Sequence, residues 1–282
     1  MQTILSDFSV LTLVRAIKAN WADYYSYLGR SPSAELSVGP YLTWFLTGIP
    51  DSFLKVVLRT QLPSDHADEI IHEALAHCRS KGITQLSWWA ETDTPRTDLD
   101  KHLAPLGLTF NEGGTGMAAD LVALHEDLPT PDGLTITLVD DTASLRQWIH
   151  ITRIGFEIPE HGESRLFDLF ADFAFEMPVR TYLAELNGQP VGTSQLFLSA
   201  GVAGIYNVTC LPEARQQGIG AAITLAPLLE ARKLGYRIGI LQASHLGYKV
   251  YRRLGFQEYG KLNIYLWENK TKPPDAEGNG AL

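Results

Sequence analysis

The chain has 282 residues, which at roughly 150 residues per domain corresponds to about two domains or one large α/β domain. Hydrophobic residues make up 45% of the chain and charged residues 20%, a composition typical of a globular protein with material for a large core. The formal net charge is −9, so the chain as a whole offers no basic surface to nucleic acid or to an anionic membrane. We therefore expect neither partner.

The two cysteines, Cys78 and Cys210, are too few for the disulfide framework of a secreted mini-protein, and they do not form a CxxC pair. We expect no metal site. Residues 1–13 lack a cationic segment followed by a long apolar run, and nowhere do about 18 apolar residues follow one another. The sequence thus predicts a cytoplasmic protein, either a monomer or a homodimer.

Turn-forming residues are concentrated at 125–133, where the sequence is HEDLPTPDG between two patterned halves. We predict a linker there, with one domain at residues 1–124 and a second at 134–268. Residues 269–282 contain two prolines and two glycines with few apolar side chains, which indicates a flexible tail.

The second half alternates strand and helix patterns. Asp141-Thr142 marks a helix start and Asn187-Gly188 marks a hairpin turn. The predicted strands are 134–139, 179–186, 191–198, 204–210 and 237–242, the predicted helices are 142–154, 163–175, 218–234 and 248–254, and residues 256–267 are predicted to form a closing hairpin. This order predicts an α/β fold with a mixed, mostly antiparallel sheet flanked by helices.

The first half shows a weaker copy of the same order. Its predicted elements are strands near 35–44 and 54–61, a helix at 65–81, a strand at 84–90 and a helix at 97–106. Its helices end at Gly82 and Gly107, and the matching helices of the second half end at Gly235 and Gly255. The pattern indicates a diverged internal duplication, although helices commonly end at glycine for local reasons.

The sharpest local feature is the segment 207–221, NVTCLPEARQQGIGA, in which a strand is followed by a glycine-bearing turn that opens a helix. At such a helix start the backbone N–H groups of residues 216–221 have no intrahelical partner, and together with the helix dipole they form a site for an anion. Gly218 and Gly220 allow the backbone to approach a pyrophosphate closely, and Arg215 adds a positive charge.

Three phosphate-binding arrangements compete for this turn. A P-loop requires Gly-Lys-Ser/Thr at its end, whereas Gly220 is followed by two alanines. A Rossmann turn requires a third glycine and an acidic residue after the next strand, where this chain has Ile223 and Gln242. The third arrangement is Arg-x-x-Gly-x-Gly, which Arg215, Gly218 and Gly220 match.

The segment Arg215-Gln-Gln-Gly218-Ile-Gly220, which follows a strand and Pro212, resembles the pyrophosphate loop of the GNAT N-acetyltransferases. Residues 241–256, LQASHLGYKVYRRLGF, resemble the second signature of that family, which ends in Tyr-x-x-Leu-Gly-Phe. The resemblance covers residues 134–267 well and the first half only as a degenerate copy. It implies two tandem GNAT-like domains and transfer of an acetyl group from acetyl-CoA to a primary amine of a small molecule or peptide by direct attack, without a metal.

The resemblance also implies where the cofactor lies. In such enzymes the strand that ends at Cys210 diverges from the next strand, 237–242, and the pantetheine arm pairs with the exposed strand edge. One N–H group at that edge polarises the thioester carbonyl. The implied cofactor-binding residues are Val208, Thr209, Cys210, Arg215, Gln216, Gln217, Gly218, Ile219, Gly220, Ala221, Ser244 and Tyr251.

Tyr251 matches the general acid of the family. A phenol with a pKa of about 10 is protonated at pH 7 and can donate its proton to a departing thiolate. Ser244 stands where many family members have an asparagine that binds the cofactor arm; because serine is shorter, that contact is made through water or lost. Cys210 has no histidine partner nearby in sequence, so we interpret it as a small apolar residue rather than a nucleophile.

The acceptor side is less defined. Glu157, Glu160 and His161 lie with Glu163 between the first two helices of the second half, where the family commonly builds the rim of the acceptor site. We take the first three as candidate substrate contacts, although a solvated loop explains the same residues.

The first half lacks both signatures. In its corresponding loop, Ser64 or Asp65 is predicted to cap the helix, and acidic residues fill the first turn, which would repel phosphate. Leu103 occupies the place of the tyrosine. We therefore expect one active site per chain, with the first half a structural or substrate-shaping partner whose aromatic residues line a pocket or simply pack the core.

Three alternatives stay open: a transferase of a longer acyl group, a transferase with a hydroxyl acceptor, and a non-catalytic CoA-binding or structural GNAT-like module. The charge distribution suits a small polyanion such as CoA. Residues 211–255 contain seven Lys and Arg residues and two glutamates, whereas the rest of the chain is acidic.

Overall fold

The computed structural model describes residues 3–60, 62, 65–90 and 96–269. The α-helices are α1 Val10–Leu28, α2 Ala67–Ser80, α3 Arg96–Leu103, α4 Thr142–Gly155, α5 Glu163–Ala171, α6 Ile219–Lys233 and α7 Tyr248–Leu254. The strands are β1 Ala34–Val38, β2 Leu42–Thr47, β3 Lys55–Thr60, β4 Gln85–Ala90, β5 Leu108–Asp120, β6 Leu134–Leu138, β7 Val179–Leu186, β8 Gln189–Ser199, β9 Val202–Cys210, β10 Ile238–Ala243 and β11 Gln257–Glu268.

Local sequence sets several of these bounds. The Asp141 carboxylate accepts a hydrogen bond from the Ser144 N–H group at 2.7 Å, and the Ser144 hydroxyl accepts one from the Asp141 N–H group at 3.3 Å. This capping box starts α4 at the predicted place. The Asn187-Gly188 turn, with φ of 52° and 76°, joins β7 to β8 as an antiparallel hairpin, which confirms that prediction.

The described strands form one 11-stranded sheet in the order β1-β2-β3-β4-β11-β5-β10-β9-β8-β7-β6. Helices α1, α4 and α5 pack on one face and share a core that spans both halves. On the other face, α2 and α3 cover the first half, and α6 and α7 cover the second. The predicted α/β fold with a mixed sheet is confirmed.

The two halves exchange their last strands. β11 ends the second half but pairs antiparallel with β4 and β5 of the first half. In return, β5 pairs antiparallel with β10 of the second half. Each half therefore completes its part of the sheet with a strand from the other, which couples the folding of the two.

The element order β1-β2-β3-α2-β4-α3-β5 of the first half is repeated as β7-β8-β9-α6-β10-α7-β11 in the second. The glycines that end the corresponding helices all take a left-handed conformation: φ is 70° at Gly82, 85° at Gly107, 92° at Gly235 and 104° at Gly255. The repeat confirms two similar halves.

Two strand predictions are wrong. Residues 256–267 do not form a hairpin; they lie almost entirely in the single strand β11, because both edges of that strand find partners in the exchanged arrangement. The strand predicted near 35–44 is a hairpin of β1 and β2, with Val38 opposite Thr43 across the turn. The helix predicted at 163–175 ends at Ala171.

Two elements of the first half are missing from the sequence-based predictions. α1 carries several of the aromatic residues considered for a pocket, and three of them, Trp21, Tyr24 and Tyr25, are instead buried in the core. β5 contains the sequence GGTG at 113–116, and glycine normally weakens a strand signal. A Cβ on Gly113 would lie 2.5 Å from the Ile264 side chain, so the close approach of β11 explains that glycine.

The predicted helix cap of the first half is wrong where it can be checked. α2 begins at Ala67 after His66, without a side-chain cap, although the predicted acidic residues do lie in its first turn. Ser64 lies outside the described residues, as do Gln61 and residues 270–282. Residues 125–133 form an irregular connection between β5 and β6; the domain division itself stays a prediction.

Candidate active site

β9 and β10 are paired over three residues only. Their parallel register runs from the Ala203–Gly239 pair to the Ile205–Leu241 pair. Beyond these pairs β9 continues to Cys210, and no strand that the structure describes lies along that edge. We call this gap between the ends of β9 and β10 the split. Its edges carry backbone N–H and C=O groups that a ligand can satisfy.

β9 contains a bulge at Asn207, which has a φ of 51°. The register with β8 pairs Gln195 with Tyr206 but Thr193 with Thr209, so β9 has one residue more than β8 between these pairs. A bulge changes which residues face each side of the strand after it. This one lies directly at the entrance to the split.

The register after the bulge decides which N–H groups face the split. The Leu211 N–H group donates to the Val191 carbonyl of β8 at 2.9 Å. Because neighbouring residues of a strand direct their backbone groups to opposite sides, Thr209 is also oriented towards β8. The N–H groups of Val208 and Cys210 are therefore oriented into the split.

The loop after β9 brings several N–H groups together. Gln216, with φ of 62°, and Gly218, with φ of 87°, take left-handed conformations, and α6 begins directly after them. Within the described part of the chain, the N–H groups of residues 216–220 donate to no backbone carbonyl. The Ala221 N–H group donates to the Gly218 carbonyl at 3.1 Å, so the expectation that Ala221 offers a free N–H group is wrong.

Gly218 and Gly220 have different surroundings. A Cβ on Gly218 would lie 2.2 Å from the Pro129 carbonyl oxygen, whereas a Cβ on Gly220 would meet no atom within 4 Å. Gly220 therefore borders open space at the positive end of the α6 dipole, where an anion is stabilised. The fold requires the first glycine and not the second.

Arg215 is exposed, and its Nε atom donates to the Cys210 carbonyl at 3.2 Å. This contact holds the guanidinium group beside the split. Other cations of the basic stretch are neutralised elsewhere: Arg237 forms two hydrogen bonds with Asp120, at 2.6 and 2.7 Å. The positive charge at the loop is therefore more local than the residue count suggests.

Tyr251 lies in α7 and is 8% exposed. Burial raises its pKa above the ordinary value of 10.0, the Cys210 thiol adds to the rise, and the Thr224 hydroxyl group opposes it. Tyr251 and Cys210, at the end of β9, belong to the same buried hydrophobic cluster. The phenol is protonated at neutral pH, but it is a weaker acid than the ordinary phenol that the sequence analysis assumed.

Cys210 and Ser244 both have structural roles in the fold beside the split. Burial raises the pKa of the Cys210 thiol to about 11, so the thiol is protonated at neutral pH, which suits a small apolar residue rather than a nucleophile. The Ser244 Oγ atom accepts a hydrogen bond from the Gly247 N–H group at 3.2 Å. Ser244 therefore shapes the turn that leads into α7 and Tyr251.

The candidate acceptor residues Glu157, Glu160 and His161 are exposed on the connection between α4 and α5. The ion pair of this region involves Glu163 instead, whose Oε2 atom lies 2.5 Å from Nε of Arg153. Glu163 is thereby neutralised, and the other three side chains are left facing solvent.

That connection links the split to the first half. At the end of α4, a Cβ on Gly155 would lie 2.0 Å from the Thr209 hydroxyl oxygen. At the far end of the connection, a Cβ on Gly162 would lie 2.8 Å from the Pro50 ring. The exposed residues between these two glycines therefore lie at the border between the halves.

A buried polar network beside the bulge was missed by the sequence analysis. The Tyr24 hydroxyl of α1 donates to Oε1 of Gln195 at 2.7 Å, and the Asn207 amide donates to the Tyr24 oxygen at 2.8 Å. The Tyr24 ring stacks on Tyr206, with 4.0 Å between ring centroids. An asparagine inside an apolar strand is the one available signal, because asparagine tolerates left-handed backbone conformations.

A cavity of about 620 Å³ lies where β10 ends. Its walls include Ala243 and Ser244 at that end, Phe53 from the first half, and residues of the exchanged strands. Tyr248 and Glu258 also line it, and the Tyr248 hydroxyl donates to the Glu258 carboxylate at 3.1 Å. Both halves of the chain thus build this cavity.

Among the residues that the structure describes, no group of three or more His, Cys, Asp or Glu side chains is arranged to hold a metal ion. In the same part of the chain, no helix is both long and apolar enough to cross a membrane.

Residues 178–258 match the family model of the acetyltransferase (GNAT) domain. The second half of the chain contains a GNAT domain. The split, the loop at Arg215 and Tyr251 all lie inside the matched range, which supports the predicted resemblance to the GNAT acetyltransferases. No protein of curated function matches the sequence significantly.

Solved structures share the GNAT fold over nearly the whole chain. A GCN5-related N-acetyltransferase from Kribbella flavida has 19% identity and a TM-score of 0.67, with 91% of this chain and 95% of that chain covered. A tandem GNAT protein from the clavulanic acid biosynthesis pathway has 16% identity and a TM-score of 0.57, with 95% and 97% covered. A GCN5-related N-acetyltransferase from Sphaerobacter thermophilus has 16% identity and a TM-score of 0.55, with 91% of each chain covered. The fold supports acyl transfer in general.

Proposed function

We propose that the protein is an acetyl-CoA-dependent N-acetyltransferase that moves the acetyl group to a primary amine of a small molecule or peptide. One observation carries the proposal: in the described part of the chain, the split-facing edge of β9 has no strand partner beyond Ile205, and it leads into a helix N-terminus where the N–H groups of residues 216–220 donate to no backbone carbonyl and Gly220 borders open space. The strand edge suits an amide-bearing arm, and the helix N-terminus suits a pyrophosphate. CoA combines both groups in one molecule.

The chain's own residues divide the binding of this donor. The N–H group of Cys210 pairs with an amide carbonyl of the pantetheine arm in the manner of an added strand, and the N–H group of Val208 is directed at the thioester oxygen. The loop N–H groups of residues 216–220 and the Arg215 guanidinium group bind the pyrophosphate. Thr209 lines the same edge, and Ser244 shapes the opposite side of the split.

The transfer is a direct attack. The amine nitrogen forms a bond with the thioester carbonyl carbon, the carbon–sulfur bond breaks, and the sulfur leaves with the electron pair. An N–H group of the split stabilises the negative charge that develops on the carbonyl oxygen. Tyr251 donates its phenolic proton to the sulfur and is reprotonated by the proton that the amine releases.

We place the acceptor in the cavity at the end of β10, because that strand also borders the split and both halves line the cavity. Its wall carries one charge of each sign, because Nζ of Lys261 lies 3.9 Å from a carboxylate oxygen of Glu258. Glu157, Glu160 and His161 stand at the border between the halves and are the candidates for the outer rim. Of these, His161 has the imidazole ring, whose nitrogen can accept the proton of an ammonium group.

A transfer assay tests the proposal. Purified protein is mixed with acetyl-CoA and a panel of primary amines, and both free CoA and the mass of the acetylated amine are measured. We expect free CoA and acetylated amine in equal amounts. CoA binding without a product from any amine would instead indicate a non-catalytic module, and faster reaction with a longer acyl-CoA would indicate a different acyl group.

A further inference from the structure

The bulge at Asn207 is held by a helix that lies outside the GNAT domain. Residues 178–258 match the GNAT family model, whereas α1 belongs to the first half of the chain. Nevertheless, the side chain of Asn207 donates to the hydroxyl oxygen of Tyr24 at 2.8 Å and to Oε1 of Gln195 at 3.2 Å. The first half therefore contacts the one left-handed residue of β9.

The Tyr24 hydroxyl group uses both its donor and its acceptor capacity in this contact. It accepts from Asn207 and donates to Gln195 at 2.7 Å, and Gln195 in turn donates to the Thr181 hydroxyl at 3.1 Å. Tyr24 is 4% exposed and Gln195 is fully buried. Buried polar groups of such a network are costly to leave unpaired, so the network holds one arrangement.

The orientation of the split depends on that arrangement. Asparagine tolerates a left-handed conformation better than most residues, but inside a strand it competes with the extended conformation, so contacts of its side chain decide between the two. Without the bulge, the register after residue 207 would shift by one, and the Val208 N–H group would be directed at β8 rather than into the split. The contact that holds Asn207 therefore also directs the groups that receive the thioester oxygen.

We propose that Tyr24 is a positioning residue for acyl transfer: its hydroxyl group holds the Asn207 amide and thereby fixes the bulge that turns the Val208 N–H group into the split. The inference rests on the proposed function. It assigns the first half of the chain a direct part in the active site of the second half.

Tyr25 provides a matched control. It follows Tyr24 on α1, it is also buried, and its hydroxyl group also makes a hydrogen bond, at 2.9 Å, but to the Phe53 carbonyl away from the bulge. Tyr24→Phe keeps the ring that stacks on Tyr206, and each substitution removes one hydroxyl group. The two variants should therefore lose similar stability and differ in turnover.

We expect kcat of Tyr24→Phe to fall about tenfold, less than the loss of an N–H donor itself, with KM for acetyl-CoA changed by less than about twofold. Tyr25→Phe should keep the kcat of the wild type. Equal kcat values in the two variants, at similar melting temperatures, would overturn the inference.

A double-mutant cycle with Asn207→Gly tests whether the two residues act through one contact, because glycine keeps the left-handed conformation accessible without the amide. We expect the double variant to be no slower than the slower single variant. Independent, multiplicative losses of kcat would contradict the proposal.

Amide hydrogen exchange separates this inference from the proposed function, because it needs no turnover. We expect faster exchange in the peptide that covers residues 206–211 in Tyr24→Phe than in Tyr25→Phe. Equal exchange would refute the positioning role even in an active enzyme. A wild-type protein that transfers no acetyl group, but shows the exchange difference, would overturn the proposed function and leave the structural contact standing.

Discussion

Gly218 lies against the carbonyl oxygen of Pro129 so closely that a Cβ on the glycine would be 2.2 Å from that oxygen. The same glycine has a φ of 87°, a left-handed conformation that is unfavourable for other residues. Two residues later, Gly220 has no atom within 4 Å of its Cβ position. The two glycines of one motif therefore have separate reasons to be glycine, and substitutions distinguish them.

Gly218→Ala should lower the free energy of unfolding by roughly 2 kcal/mol or more, because it adds both a left-handed alanine and a backbone clash. Gly220→Ala should be neutral or slightly stabilising, because alanine is favoured over glycine within a helix. Chemical denaturation of the two variants beside the wild type measures this. Equal losses of stability would show that the Pro129 contact is not the reason for Gly218.

Gly220→Glu should greatly weaken CoA binding while the protein remains folded. The side chain would fill the open space at the helix start and place a negative charge where the pyrophosphate is expected. Isothermal titration calorimetry with CoA gives the affinity, and Gly220→Ala serves as the smaller control. An unchanged affinity in the glutamate variant would rule out this loop as the pyrophosphate site.

Tyr251→Phe should lower kcat by roughly 10²-fold, the lower end of the range for a general acid, and leave CoA affinity nearly unchanged. The substitution removes only the hydroxyl group from a buried ring. Tyr236→Phe, in the connection between α6 and β10, is the control for loss of a partly buried phenol. A Tyr251→Phe enzyme as fast as the wild type would exclude Tyr251 as the proton donor.

Lys55 should make stability depend on pH in the alkaline range. Burial lowers its pKa from 10.5 to about 8, with Asp51 opposing the shift and Arg165 adding to it. Between about pH 8 and pH 10.5 the unfolded chain binds this proton and the folded chain does not. The free energy of unfolding therefore rises with pH across that window. Below about pH 8 the buried lysine is charged, and the full cost of burying that charge lowers the free energy of unfolding.

Urea unfolding at about pH 7.5 and pH 9.5 tests this for the wild type and for Lys55→Met, which removes the titrating group. Relative to the variant, the wild type should gain roughly 1–2 kcal/mol at the higher pH. An identical change in both proteins would mean that the buried lysine keeps its ordinary pKa.

Residues 134–268 alone should not form a folded monomer. Without the rest of the chain, β10 loses its antiparallel partner β5, and β11 loses both β4 and β5. Size-exclusion chromatography with thermal unfolding checks this, and addition of residues 1–124 as a separate chain should restore a cooperative transition. A stable monomer with a cooperative transition of its own would contradict the role of the exchange.

What the sequence predicts well is local. Asp141 caps a helix three residues ahead of its partner serine, Asn187-Gly188 closes a two-residue turn, and Gly255 ends α7 four residues after Tyr251. Each of these signals acts within one turn of chain, so composition and spacing reveal it. The second half, with its loop and its two signatures, follows from such signals.

What the sequence does not predict is long-range. The glycines of β5 weaken its strand signal, so the sequence does not predict that strand. The placement of β11 depends on strands more than a hundred residues away. The contact between Asn207 and Tyr24 joins residues separated by 183 positions. No local pattern contains a pairing of this kind, since it is set by which strand edge remains open when the two halves come together.

The central claim is that the split binds acetyl-CoA and passes its acetyl group to an amine. The most direct measurement is the transfer of an isotopically labelled acetyl group from acetyl-CoA to a panel of amines, followed by mass spectrometry, with wild type, Tyr251→Phe and Gly220→Glu compared. We expect a labelled amide and free CoA in equal amounts from the wild type, and much less of both from the two variants. A labelled product formed equally by all three proteins, or by none of them with any amine, would contradict it.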